Sequence, residues 1–182
     1  APPLTLPYRM FRKLFMKDAV IARNASPLFR LTPYMVFGAM CCAAAIVPSL
    51  ATDLPFARAA DAIALVGLFA LARVFIALAA MDIGTPFGSF GARREMFIGF
   101  LAEPALLMVL FTASLISGST SLPAIVDTLA HREIAIYPSL AFAGVAFTMV
   151  SRAENARIPI DNPATHLELT MIHESMLLEY SA

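Results

Sequence analysis

Four stretches of this chain, at about 33–51, 62–81, 96–117 and 134–150, are apolar and close to the ~20 residues that a helix needs to cross a bilayer. A chain built this way has lipid as its main solvent. Composition agrees: 59% of the 182 residues are apolar and 14% are charged, against roughly a quarter charged in a soluble domain. The formal net charge is zero, and no basic and aromatic residues interleave, so a nucleic-acid surface is excluded. The expected fold is an all-α membrane protein with about four transmembrane helices.

Before the first span, residues 1–30 carry Arg9, Arg12, Lys13, Lys17, Arg23 and Arg30 against the single acid Asp18. With Leu14 and Phe15 among its apolar residues, this segment reads as a basic amphipathic helix lying at the membrane interface. It lacks the charged n-region, apolar core and small-residue cleavage site of a signal peptide. Residues 31–150 form the transmembrane region, and 151–182 an acidic loop carrying a helix.

Lys and Arg in the connections set orientation, while acids count for little. One side receives the N-terminal cluster, Arg93 and Arg94, and Arg152 and Arg157; the other receives only Arg58 and Arg132. Both ends are therefore expected on the cytoplasmic side. The stretch from 82 to 95, with Gly84, Pro86, Gly88 and Gly91, reads as an irregular, compact turn or as a surface for a partner subunit. It matches neither the P-loop nor the dinucleotide fingerprint.

Ionisable residues inside a membrane are functional candidates by default. Arg73 and Glu103 lie eight or nine residues from Asp82 and Glu95, which puts both roughly 12–14 Å from the same face at 1.5 Å per residue. They are expected to be level and paired, which lowers the cost of burying either. Pro104 removes a helical hydrogen bond next to Glu103, so a kink or a water is expected there.

After the last span, Pro159 and Pro163 forbid a continuous helix. Residues 166–180 then read as a helix whose apolar residues, Ile172 and Met176 among them, cover more than one stripe and call for burial. Glu154, Asp161, Glu168, Glu174 and Glu179 stand among these residues with His173, a set suited to proton transfer. His166 and His173 lack a third ligand and the His-Glu-x-x-His spacing, so no metal site is expected. No serine sits in a nucleophile elbow, which argues against a hydrolytic triad. Cys41 and Cys42 have no ligand spacing and read as apolar fillers of a packed helix.

The runs GTPFGSFGARREMFIGFLAEPAL and ENARIPIDNPATHLELTMIHESMLLEY resemble the membrane subunits of group 4 nickel-iron hydrogenases, a family related to the respiratory complex I membrane protein that builds much of the quinone chamber. The resemblance covers nearly the whole chain. The complex I pattern Glu-x-x-Arg-x-Pro-x-Asp is kept as Glu154, Arg157, Pro159 and Asp161, and a Glu-Leu pair as Glu168 and Leu169. An Arg and a Glu of complex I fall on Arg94 and Glu103. Ala164 and His166 stand where complex I has acids, and the Glu179-Tyr180 pair comes later, departures that favour the hydrogenase branch over a quinone site.

The resemblance implies an anchor subunit without a redox centre of its own. It would seat the hydrogenase large and small subunits, which hold the nickel-iron and iron-sulfur centres, and work with antiporter-like membrane subunits in a bacterial or archaeal inner membrane. Ion coupling would run through Arg73, Glu103, Glu154, Asp161, Glu168, His173, Glu174 and Glu179. Arg93, Arg94, Arg157 and His166 would serve docking or a quinone-like site. A quinone-reducing subunit and a passive scaffold are the alternative implications, and the chain is expected to be part of a longer protein with further spans at both ends.

Overall fold

A computed structural model describes residues 5–17, 21, 24–48, 61–131, 138–155, 157, 160, 172 and 176. Among them the regular elements are helices: α1 Leu6–Phe15, α2 Pro27–Ile46, α3 Ala62–Asp82, α4 Pro86–Ser117, α5 Leu122–His131 and α6 Pro138–Glu154. The protein is an all-α integral membrane protein, and α2, α3 and α4 are long and apolar enough to span a bilayer. The stretch read as a fourth span is occupied by α6, which has 17 residues, or about 26 Å at 1.5 Å per residue.

The helix α1 is short, exposed along its length and carries Arg12 and Lys13 in its last turn, where they face the negative end of the helix dipole. It coincides with the basic amphipathic part of the N-terminal segment.

Helix starts are set by side-chain caps. Ser26 accepts a hydrogen bond from the Leu28 N–H at 3.1 Å, and Pro27 follows in the first turn, so α2 begins well before residue 33 and continues through Pro33. The Ser26 N–H is in turn donated to Asp82 Oδ2 at 2.8 Å, fastening the start of α2 to the end of α3. These two helices therefore run antiparallel. At the other end of α3, Asp61 caps Ile63 through Oδ1 at 2.9 Å and accepts the Thr120 hydroxyl through Oδ2 at 3.3 Å. The Ala62 N–H donates to the Thr120 carbonyl at 3.1 Å, so the segment after α4 is tied to the start of α3.

The expected irregular turn from 82 to 95 is corrected by the structure: only Ile83, Gly84 and Thr85 separate α3 from α4. Thr85 accepts from the Gly88 N–H at 3.3 Å and Pro86 opens the helix, a start signal that outweighs the low helix propensity of the glycines. Gly88 instead permits close approach. A Cβ there would lie 2.7 Å from the Ala80 carbonyl oxygen on α3. Gly84 has φ 76° and Gly118, which ends α4, has φ 71°, backbone states that favour glycine. α4 continues through Pro104 for 32 residues, about 48 Å, more than the ~30 Å hydrocarbon core requires.

Small residues dominate the buried faces. Ala72, Ala77, Ala79 and Ala80 on α3 and Gly88, Gly91, Ala92, Gly99 and Ala102 on α4 are buried, with Ala77 and Ala80 in one cluster with Ala92 and Gly88 close against Ala80. Between membrane helices, where lipid is as apolar as leucine, such residues gain stability by letting backbones pack closely. One cluster joins Val66, Ala102 and Leu106 to Val150 and Ala153 of α6. A second joins Ala77, Ala80 and Ala92 to Ile172 and Met176, both buried. The chain after α6 thus returns to the α3–α4 pair. Cys41 and Cys42 are exposed on α2 instead of packed inside, where an apolar thiol can face acyl chains as readily as protein.

Candidate ion-coupling site

Arg73 lies nine residues before the end of α3, and Glu95 nine residues after the start of α4. The short turn between the antiparallel helices makes these positions level. Arg73 Nε is 3.1 Å from Glu95 Oε1, and Nη1 is 3.5 Å from Glu103 Oε1. Nη2 is hydrogen-bonded to Glu154 Oε2 on the last residue of α6. One guanidinium therefore meets three carboxylates from two other helices. The Arg73 and Glu95 side chains are 10% and 6% exposed, so this is an interior site.

Helix geometry explains the arrangement. Glu95, Gly99 and Glu103 recur every four residues and share one face of α4. Helical side chains lean toward the N-terminus, which aims Glu103 back over the turn holding Gly99. That turn is where Arg73 lies: a Cβ on Gly99 would be 2.8 Å from both Arg73 Cδ and Nη1, and 3.5 Å from Glu103 Oε1. The glycine is the slot, and the two glutamates are its ends.

Two atoms of the cluster, Arg73 Nη1 and Glu154 Oε1, are buried without a hydrogen-bond partner among the described residues. For Nη1 the neighbouring Glu103 oxygen is close enough for charge attraction but not for a well-formed hydrogen bond. Arg73, Glu95 and Glu154 line a cavity of about 130 Å³ together with Met40, Phe69 and Met176. A water takes up ~30 Å³ in the liquid, so the cavity admits several beside these polar groups.

Of the residues singled out in the sequence, Arg73, Glu103 and Glu154 come together here. Arg73 and Glu103 are paired as expected but not level: the turn is shorter than expected, so Arg73 is level with Glu95 and lies between the Glu95 and Glu103 carboxylates. Sequence reasoning misses Glu95 by placing it at the end of a turn, whereas it sits in the third turn of α4; the Glu95-x3-Gly99-x3-Glu103 spacing is the signal that finds it. Arg93 and Arg94 line a separate groove with Phe90, Phe97 and Ile98. Arg157 is exposed, and its N–H donates to the Arg152 carbonyl at 2.9 Å. Asp161, His166, Glu168, His173, Glu174 and Glu179 lie outside the described residues.

A helical membrane protein with a shared ion cluster between its spans is the class these observations define. Residues 2–182 match the family described as NADH dehydrogenase, and the chain belongs to that family, which takes in a membrane protein of respiratory complex I. It is 35% identical over 180 residues to formate hydrogenlyase subunit 4 of Escherichia coli (strain K12), covering 99% of this chain and 58% of that protein. It is 36% identical over 183 residues to hydrogenase-4 component C of the same organism, covering 99% and 56%. The chain thus spans little more than half the length of these relatives. Its fold is shared with a chain in the structure of the membrane-bound sulfane sulfur reductase, an archaeal respiratory membrane complex, with a TM-score of 0.72 and 22% identity over 99% of this chain and 62% of that one.

Proposed function

We propose that this chain is the membrane anchor and ion-coupling subunit of a multisubunit energy-converting hydrogenase of the formate hydrogenlyase type. The similarity to formate hydrogenlyase subunit 4 and hydrogenase-4 component C supports the kind of complex. The observation that carries the coupling role is the convergence of Glu95, Glu103 and Glu154 on Arg73 beside a cavity into which Arg73, Glu95 and Glu154 open.

The chemistry follows from charge balance. One guanidinium neutralises one carboxylate, and three carboxylates in a poorly solvated site can be neutral together only when the other two hold protons or a cation. The site is a place where ions are taken up and released inside a membrane protein. Glu154 ends α6 and leads directly into residues 155–182, the segment we assign to docking the hydrogenase large and small subunits. A charge change in those subunits that moves this segment would alter the Arg73–Glu154 bond, and the guanidinium could then lean on Glu95 and Glu103 instead. The ion would be handed on to antiporter-like membrane subunits. No redox centre is assigned to this chain; nickel-iron and iron-sulfur centres belong to its partners, and both ends face the cytoplasm of an inner membrane.

The test is Glu103→Gln in the full complex, with hydrogen evolution and ion uptake measured together in inverted vesicles. Assembly and hydrogen evolution should persist while ion uptake per turnover falls severalfold. Unchanged coupling in both Glu103→Gln and Glu154→Gln would reduce the cluster to a structural ion pair in a passive scaffold.

A further inference from the structure

Helix α1 belongs to neither the ion cluster nor the packed core. None of its residues is buried, and Phe11, Leu14 and Phe15 stand more than half exposed. At 100° per residue, Leu6, Met10, Phe11, Leu14 and Phe15 fall within about 180° of one another, and Arg9, Arg12 and Lys13 within about 100° on the opposite side. The helix therefore has two faces of unlike chemistry. It holds no acid, and none of its three cations takes part in an ion pair among the described residues. Its 10 residues give about 15 Å at 1.5 Å per residue, half the ~30 Å of hydrocarbon, so α1 is too short to cross and covers its apolar face only by lying along a surface.

We propose that α1 binds anionic phospholipid, with its apolar face sunk into the leaflet and Arg9, Arg12 and Lys13 on the headgroup phosphates. The order of side chains around the helix fits lipid. Arg12 stands next to Tyr8 on one edge of the apolar face and Lys13 next to Leu6 on the other. From such edges an aliphatic stem lies along acyl chains while the charge stays at phosphate level. A guanidinium fork also matches phosphate oxygens two at a time. The membrane surface is set by α2, whose start is fastened to Asp82 at the end of α3, so α1, which precedes α2, belongs to the surface nearer Arg73. Arg30, exposed near the start of α2, adds positive charge on that side. Charge complementarity names the lipid: a zwitterionic headgroup offsets its phosphate with its own ammonium, whereas an anionic one leaves the attraction to basic side chains in full.

The experiment places a fluorescent amino acid at Phe15 in the assembled complex, reconstituted in bilayers of equal parts phosphatidylglycerol and phosphatidylcholine with bromine on the chains of one lipid or the other. Brominated phosphatidylglycerol should quench about fivefold more than brominated phosphatidylcholine, the preference that one basic residue at an anionic surface supplies. The ratio should fall to near one in the triple variant Arg9→Gln, Arg12→Gln, Lys13→Gln, and in the unaltered helix at about 0.5 M salt. The same label at Leu115, at the far end of α4, should show no preference. Equal quenching by the two lipids at Phe15, an unaltered ratio in the triple variant, or the same preference at Leu115 overturns the proposal. Quenching by neither lipid also overturns it, because another protein of the complex then covers α1. If the triple variant does not assemble, the salt titration of the complex with its native charges decides: a preference that persists at high salt is not held by these cations.

Discussion

Gly99 gives Arg73 the space in which it meets its carboxylates, since a Cβ at 99 would lie 2.8 Å from the arginine Cδ and Nη1. Gly99→Ala must therefore push a charged side chain out of its seat, and overpacking of this kind costs about 1–3 kcal/mol. The apparent melting temperature of the complex in detergent should fall and ion uptake per turnover should fall with it. A variant of unaltered stability and coupling would show that Arg73 does not need this slot.

Arg73→Met leaves three acids in the interior without their cation. Removing one partner of a buried pair costs about 3–5 kcal/mol, because the other charge is stranded. We expect little assembled complex in membranes from this variant. Adding Glu95→Gln and Glu154→Gln should recover a substantial part of it, since residues in one network are not additive. Simple summing of the separate losses would contradict a shared cluster.

Gly88 and Gly67 are both helical glycines with opposite surroundings. A Cβ at 88 would meet the Ala80 carbonyl oxygen at 2.7 Å, whereas one at 67 meets nothing within 4 Å. Gly88→Ala should destabilise by about 1–3 kcal/mol as α3 and α4 are forced apart. Gly67→Ala should be neutral or stabilise by up to ~1 kcal/mol through helix propensity. Thermal unfolding of the two variants side by side checks the sign.

Asp82 holds the first turn of α2 in place through the Ser26 N–H. Asp82→Ala leaves that donor without its carboxylate, at about 1–3 kcal/mol if it stays buried. Protease cleavage near residue 26 should become faster in the variant, and Asp82→Asn, which keeps an acceptor oxygen, should restore most of the protection.

Hydrophobic length and the Lys/Arg distribution are local properties, and they sufficed for the helical membrane class, the approximate position of α3 and the candidacy of Arg73, Glu103 and Glu154. Motif spacing carried the family. The boundaries of α2 and α4 were harder, because Ser26-Pro27 and Thr85-Pro86 are start signals that compete with Pro33 and a cluster of glycines nearby. Only the caps as formed show which side wins.

What the residue order determined by itself was the solvent: successive apolar runs, three of them in helices long enough to cross a bilayer, leave a helical, lipid-embedded chain as the consistent outcome. The tertiary structure decided which charges share a site. Glu154 was legible as an acid past the last span, yet its bond to Arg73 joins residues 81 positions apart, and only the packing of α6 on α4 brings them together. Glu95 became part of the cluster for the same reason: a carboxylate near a turn has no assigned neighbour until the turn is built, and here three residues of it set α4 in register with α3.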